Sequence, residues 1–235
     1  MTDGPRGPRG PRLDDDRLIL LLVGAVGAGK GTQAKALSGQ LGLMHLASGN
    51  LLRSALAAGT KLGETARQYM DRGELVPDEI TIGMVTEALR SPAARGGVIL
   101  DGFPRTVRQA TALDETLAAV GEQIRRVIYI EVPIEDLVRR VAVRWICPLC
   151  GTPYHEDSDP PRAQGICDRD GTALRQREDD RPEVVRARLA KQVPPMLEVV
   201  DHYERAGIVD RIDGTQPIED VSQAIRARIG TPAAS

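Results

Sequence analysis

Lys30 lies in a glycine-rich run, Gly24-Ala25-Val26-Gly27-Ala28-Gly29-Lys30-Gly31-Thr32, whose residue types suit the binding of a polyphosphate. Glycines let successive backbone N–H groups wrap an anion, and a helix that starts where the loop ends adds partial positive charge. Lysine supplies a mobile point charge, and the Thr32 hydroxyl has the reach of a phosphate oxygen or a magnesium ion. The strict phosphate-loop pattern puts Ser or Thr directly after the lysine, whereas here Gly31 intervenes. Taken alone, the stretch also fits a glycine-rich turn in another kind of α/β protein.

A second group with chemical potential is Cys147-x-x-Cys150, followed after 16 residues by Cys167-x-x-Asp170. Two paired loops of that spacing match a tetrahedral zinc knuckle in which one carboxylate replaces a thiolate. Four protein ligands would leave no open position, so such a site is expected to be structural. A Cys147–Cys150 disulfide, or no metal at all, is the alternative. The chain has 3 cysteines, an odd number, all within this segment, which favours a reducing compartment over a disulfide framework.

The bulk properties narrow the class. A length of 235 residues allows one substantial core with small insertions. A net charge of −2 and a pI near 6.0 ask for neither a nucleic-acid nor a membrane partner. The sequence shows neither an apolar run long enough for a spanning helix nor the features of a signal peptide, so a cytoplasmic protein is expected. Residues 1–16, with three Gly-Pro-Arg triplets and then three aspartates, have almost nothing to bury and read as a disordered tail.

These residues need elements to position them. The apolar run from Leu18 to Val23 suits an inner strand buried on both faces, and Ala34, Leu37 and Leu41 then recur on one helical face. Further strands are expected at 44–48, 97–100, 126–132 and 208–212. Helices are expected at 49–58, 61–72, 107–120, 134–144 and 218–229, with Asp78 capping one that carries Ile80, Met84 and Ala88. The strand and helix alternation breaks between Trp145 and Arg175, as an inserted subdomain would break it. Helical patterning resumes at Pro182, and Pro194 with Pro195 is expected to kink or split it.

The order of motifs resembles the adenylate kinase family of nucleoside monophosphate kinases, in its long-lid, metal-containing form. GAVGAGKGTQ, SGNLLR, GELVPDE, DGFPRT with Gln109, RRVAVR, the cysteine cluster, QREDD, Arg188 and DGTQP occur in the family's order between about Leu18 and Ile229. The resemblance implies an α/β, P-loop NTPase-like three-layer fold with a five-stranded parallel sheet. It also implies an adenylate kinase domain over 17–231, with a helical AMP-binding subdomain at 47–76 and an inserted zinc-binding lid at 143–180. The activity implied is reversible Mg²⁺-dependent transfer, ATP + AMP to two ADP, by a monomer with ATP and AMP as its partners.

Site residues follow from the same resemblance. Lys30, Arg105, Arg140, Arg144, Arg177 and Arg188 would be catalytic. ATP would be held by Gly27, Ala28, Gly29, Lys30, Gly31, Thr32, Arg144, Pro153, Tyr154 and Gln216. AMP would meet Ser48, Arg53, Glu74, Leu75, Val76, Gly102, Phe103, Pro104, Arg105, Gln109, Arg177 and Arg188. Cys147, Cys150, Cys167 and Asp170 would hold zinc. Guanidinium groups suit this role because they fork onto phosphates, and the Gln109 amide offers a donor and an acceptor to a base edge. Asp101, at a strand end, would hold magnesium through water; Asp179 and Asp180, beside Arg177, suit lid-closure or hinge salt bridges and equally a solvated charged turn. The sequence departs from the family at Val26, Asn50 and Pro153, where Pro, Asp and a hydroxyl residue are usual. A kinase for UMP, CMP or GTP is the nearest rival, and a nucleotide- or nucleic-acid-binding regulatory protein is a more distant one.

Overall fold

The computed structural model describes residues 17–72, 74–156, 159–176 and 180–230. The expected tail at 1–16, together with Arg177 and Asp179, lies outside the described residues. Five strands form one parallel sheet in the order β2-β3-β1-β4-β7: β1 Ile19–Val23, β2 Met44–Ala47, β3 Val98–Asp101, β4 Arg126–Glu131 and β7 Val209–Asp213. A separate antiparallel pair, β5 Arg144–Ile146 and β6 Pro153–His155, belongs to the inserted segment. The helices are α1 Lys30–Leu41, α2 Ser48–Ala57, α3 Lys61–Met70, α4 Asp78–Leu89, α5 Val107–Ala118, α6 Ile134–Ala142, α7 Pro182–Glu204 and α8 Ile218–Ile229. The expected architecture of a five-stranded parallel sheet between helices is therefore present.

Alternate residues of the inner strands feed two cores. Ile19, Leu21 and Val23 face one side with Leu100, Val127 and Tyr129, beneath α4, α5 and the C-terminal half of α7. Leu20 and Leu22 face the other with Ile99, Ile128 and Ile130, beneath α1, α6, α8 and the start of α7. All five residues of β1 are buried, as expected of a parallel strand covered on both faces. The sheet thus presents the C-terminal ends of β1 and β3 together, and the glycine loop leaves from the first of these.

Two local expectations are corrected. Helix α7 is not split: it runs unbroken through Pro194 and Pro195. Proline removes the donors that would have served the carbonyls of Ala190 and Lys191, and both residues are exposed, so water can take those acceptors. Asp78 is not a side-chain cap. It is the first residue of α4, and its carboxylate instead accepts from Thr106 Oγ1 at 2.9 Å and Gln109 Nε2 at 2.7 Å, across to α5.

Candidate functional site

The loop between β1 and α1 is shaped by close packing. Gly27 has φ +87°, and a Cβ there would meet Val141 Cγ2 at 2.8 Å and Leu137 O at 3.0 Å, so only glycine lets the loop lie against α6. Gly29, also left-handed at φ +91°, sits at the N-cap of α1, and its carbonyl accepts from Gln33 N at 3.0 Å. Lys30 folds back over this loop, with Nζ donating to Gly24 O at 2.7 Å and Ala25 O at 2.9 Å. Burial lowers its pKa from 10.5 to about 8; Asp101 opposes that shift, while Arg105, Arg144 and Arg188 add to it. Those three guanidiniums are therefore close enough to be felt at the ammonium.

A cleft of about 830 Å³ opens over the loop. Its wall brings together Gly27, Ala28, Gly29, Lys30, Gly31 and Thr32 with Arg53, Gly102, Pro104, Arg105, Arg140, Arg144, Pro153, Tyr154, Arg188 and Gln216. Five of the six arginines singled out in the sequence thus converge near Lys30, and the sixth, Arg177, is outside the described residues.

Most of the cations in the wall are held by internal acceptors. Arg105 Nε donates to Gly102 O at 2.7 Å, and Ser48 Oγ reaches the same carbonyl at 2.7 Å from behind the wall. Burial, chiefly, and then Arg188 pull the Arg105 guanidinium below its ordinary value, with Arg53 adding and Asp101 opposing. Arg53 Nη2 donates to Asn50 Oδ1 at 2.6 Å. Arg144 grips the buried Asp180 with both Nε (3.0 Å) and Nη2 (2.5 Å), and Arg188 Nη1 stands 4.0 Å from the same carboxylate. The salt bridge expected of Asp180 is thus made to Arg144. Arg140 acts electrostatically on Asp213, whose carboxylate accepts from Thr215 and from Gln216 Nε2 at 2.9 Å. The Gln216 amide is committed there, beside the cleft.

Not every expected residue reaches the wall. Gln109 is buried, its Oε1 accepting from Arg105 N at 2.7 Å while its Nε2 serves Asp78, so this amide stands behind Arg105 in this conformation and does not face a base edge. Phe103 lies in the core and Val76 in a small cluster with Leu52 and Ala66. Leu75 is half-buried away from the cleft. Glu74 pairs with Arg72 at 3.0 Å and with Lys191 of α7 at 3.2 Å. Tyr154 contributes its ring to the wall but turns its hydroxyl away, to Cys167 Sγ at 3.4 Å and Asp168 N at 2.8 Å.

Sequence reasoning misses His45, whose Nε2 lies 3.1 Å from Asp101 Oδ2. Burial alone would raise the Asp101 pKa, but the His45 hydrogen bond and the charges of Lys30, His45 and Arg105 outweigh it and hold the carboxyl below its ordinary value. The signal available was register: β2 and β3 run parallel with His45 opposite Ile99, which puts His45 on the face that carries Asp101. An ionised carboxylate whose Oδ2 would lie 3.6 Å from a Cβ added at Gly31, and the Thr32 hydroxyl in the same cleft, are hard oxygen donors of the kind magnesium takes.

The cysteine cluster is also assembled. One ligand atom from each of Cys147, Cys150, Cys167 and Asp170 lies within 4.8 Å of the others. Cys150 and Cys167 sulfurs are 3.6 Å apart, and Cys147 Sγ is 3.3 Å from Asp170 Oδ2. Zinc bonds of about 2.3 Å to sulfur and about 2.0 Å to oxygen, at tetrahedral angles, imply edges of roughly 3.5–3.8 Å, so the donor set fits zinc. The two halves share one backbone design. Cys147 N donates to Thr152 O and Gly151 N to Cys147 O, just as Cys167 N donates to Thr172 O and Gly171 N to Cys167 O. Gly151 and Gly171 both have φ of 72°.

Comparison with known proteins agrees with this geometry. The family profile described as adenylate kinase matches residues 22–208. An adenylate kinase of Exiguobacterium sibiricum is 46% identical over 211 residues, covering 90% of this chain and 98% of that protein. One of Staphylococcus aureus is 45% identical over 206 residues (88% and 96%), and one of Oceanobacillus iheyensis 44% over 208 (88% and 97%). With a glycine loop, a converging set of cations and relatives of that closeness along nearly its whole length, the chain belongs to the adenylate kinase family and is a nucleoside monophosphate kinase, a phosphotransferase.

Proposed function

We propose that the chain catalyses ATP + AMP to two ADP, reversibly and with Mg²⁺, as a cytoplasmic monomer that balances adenine nucleotides. The observation that carries the reading is the convergence of Lys30, Arg53, Arg105, Arg140, Arg144 and Arg188 on one cleft beside the glycine loop. Two polyanionic nucleotides repel each other, and the transferring phosphoryl group spreads charge over its equatorial oxygens. A ring of preorganised cations meets both demands without a general base, so catalysis is positioning and charge stabilisation.

The donor triphosphate would lie along Gly27 to Thr32 with Lys30 and Arg144, and its adenine between Pro153, the Tyr154 ring and Gln216. The AMP phosphate would be forked by Arg53 and Arg105, with Ser48 and Gln109 fixing the Gly102 to Arg105 turn and with Leu75 and Val76 beside the base. Arg140, Arg188 and Arg177 would complete the charge around the transferred group. Magnesium, when bound, supplies Lewis-acid neutralisation of the donor oxygens; Asp101 and Thr32 would hold it. Residues 47–76 act as the AMP-binding subdomain and 143–180 as a lid, stiffened by a structural zinc in the Cys147, Cys150, Cys167 and Asp170 cluster. Water competes with AMP as acceptor, and closing that lid excludes it. Among the described residues, no helix is long and apolar enough to cross a membrane.

A coupled ADP-formation assay with AMP, UMP and CMP side by side tests the reading. AMP is expected to be turned over far faster than the pyrimidine nucleotides; equal or faster turnover of UMP or CMP overturns it.

A further inference from the structure

Arg169 sits between two of the four clustered ligand residues, Cys167 and Asp170. Its backbone is confined on both sides, because Gly171 N donates to Cys167 O at 2.9 Å and Cys167 N to Thr172 O at 2.8 Å. The side chain leaves the knuckle and joins the wall of the large cleft beside Thr152 and Pro153. There Nη1 donates to Thr152 Oγ1 at 3.4 Å. Among the described residues the guanidinium is paired with no carboxylate, unlike the exposed Arg67 and Arg186, which hold Asp71 and Glu135. An unpaired cation in the wall of an anion-binding cleft, on a backbone fixed by its neighbours, has what a phosphate contact requires.

We propose that Arg169 is a further donor-nucleotide residue whose guanidinium meets the triphosphate. The inference rests on the donor reading of the wall formed by the glycine loop, Arg144 and Pro153. Thr152 sets the direction of the side chain, and the knuckle sets its root. Donor affinity is thereby tied to the integrity of the cysteine cluster through one side chain.

The test compares Arg169→Gln, Arg169→Lys and Arg162→Gln, the last altering an exposed arginine between β6 and Cys167 that does not line the cleft. Calorimetry with ATP and with adenosine is run beside KM determinations for ATP and AMP, bound-metal analysis and thermal melts. Arg169→Gln is expected to weaken ATP binding and raise KM for ATP by about 3- to 10-fold. Adenosine binding, KM for AMP, metal content and melting temperature should stay at the parent's values, Arg169→Lys should keep most of the affinity, and Arg162→Gln should match the parent. Unchanged ATP affinity in Arg169→Gln overturns the proposal. So does a loss shared equally by adenosine, or one accompanied by loss of metal, since either marks a structural role. If the unaltered chain fails to convert ATP and AMP to ADP, the adenylate kinase reading falls, and the calorimetric arm still decides Arg169.

Discussion

Replacing Asp180 by asparagine keeps the side-chain volume and removes one negative charge from between two cations. The carboxylate is 1% exposed, Arg144 binds it through two hydrogen bonds, and Arg188 lies 4.0 Å away; the two guanidinium side chains are 21% and 14% exposed. Removing one member of a buried ion pair costs about 3–5 kcal/mol, because the other is left uncompensated. Here the open cleft lets water reach the guanidiniums, which reduces the figure to about 2–4 kcal/mol. For a chain of this size that loss lowers the melting temperature by roughly 5–15 °C. Asp71→Asn is the internal control: its partner Arg67 is 3.5 Å away and both side chains are about two-thirds exposed, so the change should stay within about 0.5 kcal/mol. Urea unfolding followed by circular dichroism measures both. If Asp180→Asn proves no less stable than Asp71→Asn, the carboxylate is not what holds the two guanidiniums in place.

Lys30→Met should remove at least about 10³-fold of the activity while leaving the fold intact, because the lost charge is one that stabilises the transferring phosphoryl group. The same variant tests the depressed pKa. Between about 8 and 10.5 the unfolded chain holds more protons than the folded one, so the stability of the nucleotide-free protein contains a term that rises with pH over that window. Urea melts at a series of pH values should show this rise in the parent and not in Lys30→Met; parallel profiles refute it. Metal analysis should find about one zinc per chain, with Cys147→Ser losing it and melting at a lower temperature; protein prepared without chelators that holds no metal refutes the site. Gly63→Ala should loosen the α2–α3 pair, since a Cβ at Gly63 would lie 2.3 Å from Leu56 N and 2.4 Å from Ala55 O. A several-fold rise in KM for AMP with little change for ATP is expected, and an unchanged KM for AMP contradicts the assignment of 47–76 to the acceptor.

The phosphate loop was readable because its information is local: an apolar run, glycines and a lysine follow in order, and β1, the loop and α1 fall where those residue types change. The cysteine cluster was readable for the same reason, since its four residues fall in two short spacings that need no knowledge of the rest of the chain. Contacts made across the chain were not. Asp78 looks like a cap when read with its neighbours, yet its partners Thr106 and Gln109 lie 28 and 31 residues away on another helix. Gln109 offers a free amide on paper and spends both ends within the protein. The prolines of α7 mislead in the opposite direction, because the cost of a lost donor depends on whether the orphaned carbonyl faces water, and that depends on packing the sequence does not display.

Contacts within the protein explain how so many cations coexist. Two guanidiniums 5 Å apart repel by roughly 3 kcal/mol at an effective dielectric of about 20, and the cleft wall carries Lys30, Lys35, Arg53, Arg105, Arg140, Arg144, Arg169 and Arg188. Five of them are held by an acceptor that the chain supplies: Lys30 by two loop carbonyls with Asp101 nearby, Arg53 by Asn50, Arg105 by Gly102, Arg144 and Arg188 by Asp180. Arg140 has the charge of Asp213 near it. Phosphate oxygens offer the same kind of acceptor with more charge, so a nucleotide can take over these hydrogen bonds without first having to gather the cations. Two classes of substitution should then separate. Removing an acceptor such as Asp180 leaves cations unbalanced and is felt first as lost stability. Removing a cation such as Arg188 relieves repulsion and is felt as lost turnover, with the fold as stable as before or more so. An Arg188→Ala variant that unfolds more easily than Asp180→Asn would show that packing, and not charge balance, governs this cleft.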